Sequence, residues 1–430
     1  MTMEVEVISR KCIKPSSPTP LHLRTHKLSL LDQYVPPIYV PMVFYYPNQD
    51  TNLSPSDIIS QRLQLLKQSL SETLSRFYPF AGKVKDSLSI DCNDEGIYFI
   101  EARVQNPLTE FLKQPDLSFI NKFLPYHLDW SATPTEGTHV AIVQVTTFSC
   151  GGIVIGVYVS HIIADGTALS SFIKSWAAAA RQSSTEEAAL VCPKFDGSSL
   201  FPPTDAYPTE ATMMDAVIPF FRTGKYITRR FVFDASAIAT LKAKAKSSRV
   251  QNPTCVEVAV NLRRRAMPPL SEYCMGNFIW RATTLFTNGE AELEGLVYLL
   301  REAITKVNSD FVKSLELEGK EGLTKICNIV KDISGECNEV DFVGLSSWCN
   351  LGLYEIDFGW GKPTWVSNVG ITSSKRVFMN NMIILLDPKL KDGIEAWMTS
   401  LDEADMGILE VDKELLEYVT LDPSPLGLST

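Results

Sequence analysis

Val140–Phe148 and Ile153–Ser160 are two β-branched runs that flank Ser149-Cys150-Gly151-Gly152. Apolar residues dominate both runs, which predicts a hairpin of strands covered on both faces. Such strands need other layers packed on either side, and that demand shapes the rest of the chain. Thr146, Thr147, Ser149, Gly151 and Gly152 interrupt the region, so it is not a membrane span.

Covering helices are visible nearby. Ile59, Leu63, Leu66, Leu70, Leu74 and Phe77 recur at three- and four-residue steps, forming one stripe of an amphipathic helix that Tyr78-Pro79 and Gly82 close. A second helix is predicted from about Thr167 to Arg181, with Leu169, Phe172, Ile173, Trp176 and Ala180 on one face. Alternating strands around Lys83–Cys92 and Tyr98–Arg103 flank the turn Asn93-Asp94-Glu95-Gly96. Pro202, Pro203, Pro208 and Pro219 then mark a crossover. It divides an N-terminal half, 1–200, from a C-terminal half, 226–430, through a linker at 201–225. The second half reads as strand Arg230–Phe233, helix Ala235–Lys246, helix Glu290–Asn308 and a strand region at Trp348–Phe358. A hairpin of Met382–Asp387 and Ile394–Ser400 follows, then a terminal helix over Asp402–Val419. Helices and strands interleave in both halves, which predicts two α/β halves of similar size.

Hydrophobic residues make up 45% and charged ones 21%, which excludes a disordered, collagen-like or fibrous chain. The net charge of −10 excludes general binding to nucleic acid. Glu4 and Glu6 stand where a secretory signal needs an apolar stretch. The nine cysteines are odd in number and lack metal-ligand spacing, and the five histidines form no metal-spaced cluster. The expectation is a cytoplasmic protein with reduced thiols, no metal and no membrane contact.

His161 closes the second run of the hairpin, on the face of Ile153, Ile155, Val157 and Val159, and is followed by the sharp turn Ile162-Ile163-Ala164-Asp165-Gly166. Imidazole there is placed either to take a proton near neutral pH or to sit in the core satisfied by backbone groups. The string Asp357-Phe358-Gly359-Trp360-Gly361-Lys362-Pro363 describes a tight backbone path, in which Asp357 either reacts or holds backbone N–H groups.

Both strings, in this order and at this spacing, resemble the BAHD acyltransferase family of plants. So do Ile13–Pro20, Leu30-Leu31-Asp32-Gln33, Phe77–Lys83, Asp91–Asp94 and Met275-Gly276-Asn277, so the likeness covers nearly the whole chain. It is closest to the alkaloid-acetyltransferase branch. The resemblance implies an α/β fold of two chloramphenicol-acetyltransferase-like halves with mixed sheets and a channel between them. It also implies a monomer that moves an acyl group from acyl-CoA, with acetyl-CoA as co-substrate, to a small-molecule alcohol on an alkaloid or terpenoid scaffold. No permanently bound cofactor is implied. Alternatives left open are a hydroxycinnamoyl or benzoyl thioester donor, an amine acceptor, and a non-catalytic paralogue.

Residue by residue, the resemblance makes His161 the general base and Trp348, in Ser346-Ser347-Trp348, the donor facing the oxyanion, a position worth about 3–4 kcal/mol of barrier. Asp165 would point away from substrate and pair with Arg263 of Asn261-Leu262-Arg263, and Gly166 would let the backbone turn close to the base. Asp357, Gly359 and Gly361 would support the site. Read from the residues themselves, Arg263, Arg264 and Arg265 with Lys225, Arg229 and Arg230 form the best local basic patch for coenzyme A phosphates, and Asn261 and Arg263 are the cofactor-binding candidates. The chain departs from the family between Val258 and Ala259. Members carry a helix after the equivalent of Asn252-Pro253-Thr254, and the few residues from Pro253 to Asn261 leave no room for one of ~11–12 residues. The expectation is a strained second half.

Overall fold

A computed structural model describes residues 3–125, 134–181, 192–204, 226–244, 254–286, 293–316, 341–369, 381–390, 392–400 and 403–427. Among them, strands form two large mixed sheets and one small sheet. The first large sheet runs β1 (Glu6–Ile13), β6 (Ile97–Val104), β7 (Ala141–Phe148), β8 (Ile153–Ser160), β3 (Tyr39–Tyr46) and β13 (Trp365–Ser367). β6 and β7 are parallel and the other neighbours antiparallel. The second runs β11 (Ile279–Phe286), β10 (Thr254–Asn261), β12 (Asp341–Ser347), β14 (Asn381–Leu386), β15 (Gly393–Ser400), β9 (Ile227–Asp234) and β16 (Val419–Leu421). β12 is parallel to both of its neighbours, β10 and β14. The small sheet joins β2 (Thr25–Lys27), β5 (Ser89–Asp91) and β4 (Lys83–Asp86).

The hairpin expected from the apolar runs is β7–β8, and every position of both strands is buried. Two helices cover it. α2 (Pro55–Leu74) starts at Ser54, whose side chain accepts from Asp57 N, with Pro55 in the first turn. α3 (Gly166–Ala180) is capped by Asp165. Trp176 of α3 donates its indole N–H to Leu66 O at 3.0 Å, which ties α3 to α2. The stripe on α2 is as read at Leu66, Leu70 and Leu74, but its first turns bury Ile58 and Arg62 in place of Ile59 and Leu63. Arg62 takes a core slot because it is satisfied there: it donates to Gly151 O and Asn48 Oδ1, both at 3.1 Å, and lies over the Trp360 ring.

Three local readings are corrected. Trp348–Phe358 is not a strand: β12 ends at Ser347, and Gly352, at φ 67°, starts one short helical turn at Leu353–Glu355. The terminal helix stops at Val411. Asp412 caps a second short turn, Lys413–Leu416, and the chain then becomes β16 on the edge of β9. The sheets also do not divide where the sequence halves do, because β13 returns to the first sheet and pairs with β3, Trp365 against Tyr45. This caps an otherwise open strand edge and stacks Trp365 on Tyr45 at 4.8 Å. Most of the crossover linker, 205–225, lies outside the described residues.

β10 runs unbroken through Val258 and Ala259, paired with β11 on one side and β12 on the other. Among the described residues, no helix is long and apolar enough to cross a membrane.

Candidate active site

The inner faces of the two large sheets enclose a cavity of about 350 Å³. Val40 and Pro41 of β3 line it from one side, with His161 just past β8. Ala259 and Asn261 of β10, Ser346 of β12, Met382 and Ile384 of β14 and Thr399 of β15 line it from the other. Period-two alternation delivers Ala259 and Asn261 of β10, and Met382 and Ile384 of β14, to one face.

His161 sits one residue beyond β8, where its backbone N–H donates to Ile38 O at 2.7 Å. Its ring Nδ1 lies 2.9 Å from Asn277 Oδ1. Desolvation by burial lowers its pKa below the ordinary 6.5. The carbonyls of His161 and Ala164, the Asp165 charge and Asn277 partly oppose that. The imidazole is therefore neutral at physiological pH and able to accept a proton.

Asp165 turns away from the cavity's centre. Its Oδ1 accepts from Ala168 N at 2.9 Å as the cap of α3, and its Oδ2 accepts from Arg263 Nη1 at 2.5 Å and Phe278 N at 3.0 Å. Arg263 donates further to Cys274 O and Gly276 O, and its plane lies 4.7 Å from the Phe278 ring. The pair thus fastens the His161 turn to the segment after β10.

The expectation that Arg263 contacts phosphates fails on this geometry, since its guanidinium is buried and committed. Of the wider basic patch, two arginines are engaged in ion pairs. Arg230 is buried against Glu395, Arg229 pairs with Glu410, and Lys225 lies outside the described residues. Arg264 is exposed, and Arg265 donates to Asn261 O. Asn261 does line the cavity, and its amide donates to Thr167 Oγ1 at 3.1 Å.

Trp348 lines the cavity opposite the start of α3. A Cβ built on Gly166 would lie 3.3 Å from Leu351 Cδ1, 3.9 Å from Trp348 Cδ1 and 4.0 Å from its Nε1. Gly166 thus leaves room for Leu351, with the indole at ordinary contact distance, and takes no left-handed backbone angle.

Asp357, Gly359 and Gly361 stand apart, and none of them lines the cavity. Asp357 Oδ1 accepts from Gly359 N at 2.7 Å and Gly361 N at 3.0 Å, and both glycines take φ 105°. The loop lays Phe358 and Trp360 on the helix layer of the first sheet, with Phe358 edge-on to Trp176. Asp357 thus holds backbone N–H groups, and Arg181, just past α3, donates to its carbonyl.

Two residues without an assigned role in the sequence reading belong here. Asn277 touches His161, and Asp32 accepts from Asn277 N at 2.7 Å and Asn277 Nδ2 at 2.8 Å. Ser29-x-x-Asp32 is legible as a helix start, since both halves of the capping box are present. Its contact with a residue 245 positions away is not.

The Transferase family model matches residues 3–259 and 253–416. Limonoid 7-O-acetyltransferase of Citrus sinensis is 52% identical, over 99% of this chain and 100% of its own. Epi-neemfruitin B 7-O-acetyltransferase of Melia azedarach is 51% identical over the same shares of the two chains. Among solved structures, vinorine synthase superposes with a TM-score of 0.77 at 31% identity, covering 97% of this chain and 98% of that one.

Proposed function

Because the chain belongs to the Transferase family, the BAHD acyltransferases, we propose that this acyltransferase carries an acetyl group from acetyl-CoA to a hydroxyl on a neutral polycyclic terpenoid. The observation that carries the reading is His161, neutral and facing a cavity walled by both sheets. As the alcohol oxygen bonds to the thioester carbonyl carbon, its proton passes to His161. The tetrahedral oxyanion collapses, the C–S bond breaks, and the departing coenzyme A thiolate takes the proton from the imidazolium. Trp348 is the candidate donor to the oxyanion.

The cavity's chemistry supports a neutral acceptor. Its walls mix aliphatic side chains, Ile38, Ile279 and Val369 among them, with the neutral polar groups of Asn261, Ser346, Asn368 and Thr399. Among the described lining residues the one carboxylate is Asp165, already bound by Arg263, Ala168 N and Phe278 N. A protonated amine would find no free counter-charge among them. The names of the relatives at 51% and 52% identity support the same class, whereas salutaridinol 7-O-acetyltransferase of Papaver somniferum stands at 35%. Unpaired cysteines among the described residues support a cytoplasmic setting.

The test is purified protein with acetyl-CoA and two panels: limonoid alcohols with a free 7-hydroxyl, and alkaloid alcohols bearing a basic amine. Ester formation matched by coenzyme A release in the first panel is the expected result. Transfer confined to the second panel, or to benzoyl or hydroxycinnamoyl thioesters, overturns it. A non-catalytic paralogue is the second reading. It rests on the family match falling in two stretches, 3–259 and 253–416, and absence of transfer with every thioester would favour it.

A further inference from the structure

We propose that Asp32, acting through Asn277, locks His161 in the tautomer that leaves Nε2 unprotonated. The inference rests on the proposed role of His161 as base. Asn277 is buried and its amide is fully committed: Nδ2 donates to Asp32 Oδ1 at 2.8 Å and to the His161 carbonyl at 2.5 Å. Both partners are acceptors only, so the amide cannot be turned around. Its Oδ1 must therefore be the atom that faces His161 Nδ1, and an oxygen there calls for a protonated Nδ1. The ring's other nitrogen keeps its lone pair.

Asp32 is placed to hold this arrangement. Its Oδ1 takes both the backbone and side-chain N–H of Asn277, and its Oδ2 takes Ser29 N at 2.8 Å and Ser29 Oγ at 2.7 Å. Four donors around one buried carboxylate leave little freedom for the amide beyond it. Gly276, at φ 122°, brings Asn277 this close: a Cβ there would sit 3.4 Å from Asp32 Oδ1. Asp32 and Asn277 are positioning residues, since neither lines the cavity.

The experiment uses the full chain labelled with ¹⁵N-histidine, with His161→Gln identifying the His161 signals by their loss. Above the His161 pKa, the unmodified protein is expected to show a protonated Nδ1 and an unprotonated Nε2. Asp32→Asn, nearly the same shape, sets an amide donor against a donor of Ser29 or Asn277 and is expected to give mixed tautomers. Asn277→Ala, which leaves the Ser29–Asp32 box intact, serves as a second variant should Asp32→Asn fail to fold. With an acceptor in hand, either variant is expected to lower kcat by about 100-fold while the KM for acetyl-CoA changes little. A His161 carrying its proton on Nε2 in the unmodified protein overturns the proposal. So does a folded Asp32→Asn or Asn277→Ala that keeps the original tautomer. Neither tautomer result depends on acetyl transfer, so a failed activity assay is distinguishable from a failed inference.

Discussion

Asp165 and Arg263, 98 residues apart, meet in an ion pair of 2.5 Å from which solvent is nearly excluded. The pair joins the turn after β8 to the segment after β10, one element from each large sheet. Removing the guanidinium leaves a buried carboxylate with two backbone donors and no counter-charge. Arg263→Met is expected to destabilise the fold by about 3–5 kcal/mol, and Asp165→Asn with Arg263→Met by clearly less. Urea unfolding of both variants measures this. An equal loss in the single and double variants counts against an electrostatic tie.

The base proposed for His161 is its neutral form, and burial lowers its pKa below 6.5. The expected kcat/KM profile rises with pH through that lowered value and is level across neutrality. His161→Ala is expected to cost about 10²–10⁴ in rate. A profile that falls as pH climbs from 5 to 7 is incompatible with this assignment.

His26 gives the acid limb of stability. It lies in β2, edge-on to Phe195 at 5.5 Å, and desolvation lowers its pKa to about 4. The unfolded chain takes up a proton near pH 6.5, while the folded chain resists until about pH 4. Its share of stability is therefore intact above 6.5 and drains away as pH falls toward 4. The parent should lose about 3 kcal/mol relative to His26→Gln between pH 7 and pH 4. Chemical denaturation of both proteins at the two pH values checks it.

How much of this was legible in advance depends on the range of the interaction. The β7–β8 hairpin, α2 and α3 were visible because apolar spacing is local and their burial follows it. The split at Asp412 was not, because β16 exists through pairing with β9, far away in sequence. The Asp165–Arg263 tie came from family likeness and is present. The phosphate contact expected of Arg263 came from its basic neighbours in sequence, and burial of the side chain against Asp165 argues against it. The Asp32–Asn277–His161 chain draws on three distant segments, and no periodicity announces such a meeting.

Gly166 tests whether space beside Trp348 matters to the reaction. A methyl there would meet Leu351 Cδ1 at 3.3 Å, a flexible side chain able to shift by a few tenths of an ångström. Alanine at the first turn of a capped helix costs nothing in backbone terms, so Gly166→Ala should fold with little change in Tm. The indole lies 3.9–4.0 Å away, in ordinary contact with such a methyl, so Gly166→Ala should leave it in place and kcat little changed. Trp348→Phe, which removes the indole N–H, is the variant expected to lower kcat, by about 10²–10³-fold for a lost oxyanion donor, and an unchanged kcat in a folded Trp348→Phe would remove Trp348 from that role.

The second sheet is expected to be the weaker half of the molecule, for a reason that lies at β10. The family model matches in two stretches that overlap at 253–259, as happens when an internal segment of the model is skipped. The Melia azedarach relative aligns over 458 positions against the 430 residues of this chain, so it carries residues absent here. We read the missing part as the helix expected between Val258 and Ala259. The burial pattern supports this. β7 and β8, in the middle of the first sheet, are buried at every position, whereas Ile383 and Leu385 of β14, which alternate with the cavity-lining Met382 and Ile384, are partly exposed. Val343 and Leu345 of β12 are partly exposed as well. Incomplete cover of central strands forfeits apolar burial worth about 25 cal/mol per Å². The second sheet should therefore open first, with amide exchange in β12 and β14 faster than in β7 and β8, and with a low-temperature transition preceding the main melt. Inserting the relative's segment between Val258 and Ala259 is expected to merge the two transitions. A single cooperative melt of the unmodified chain, with uniform protection across both sheets, would show that the shortened strand has been fully accommodated.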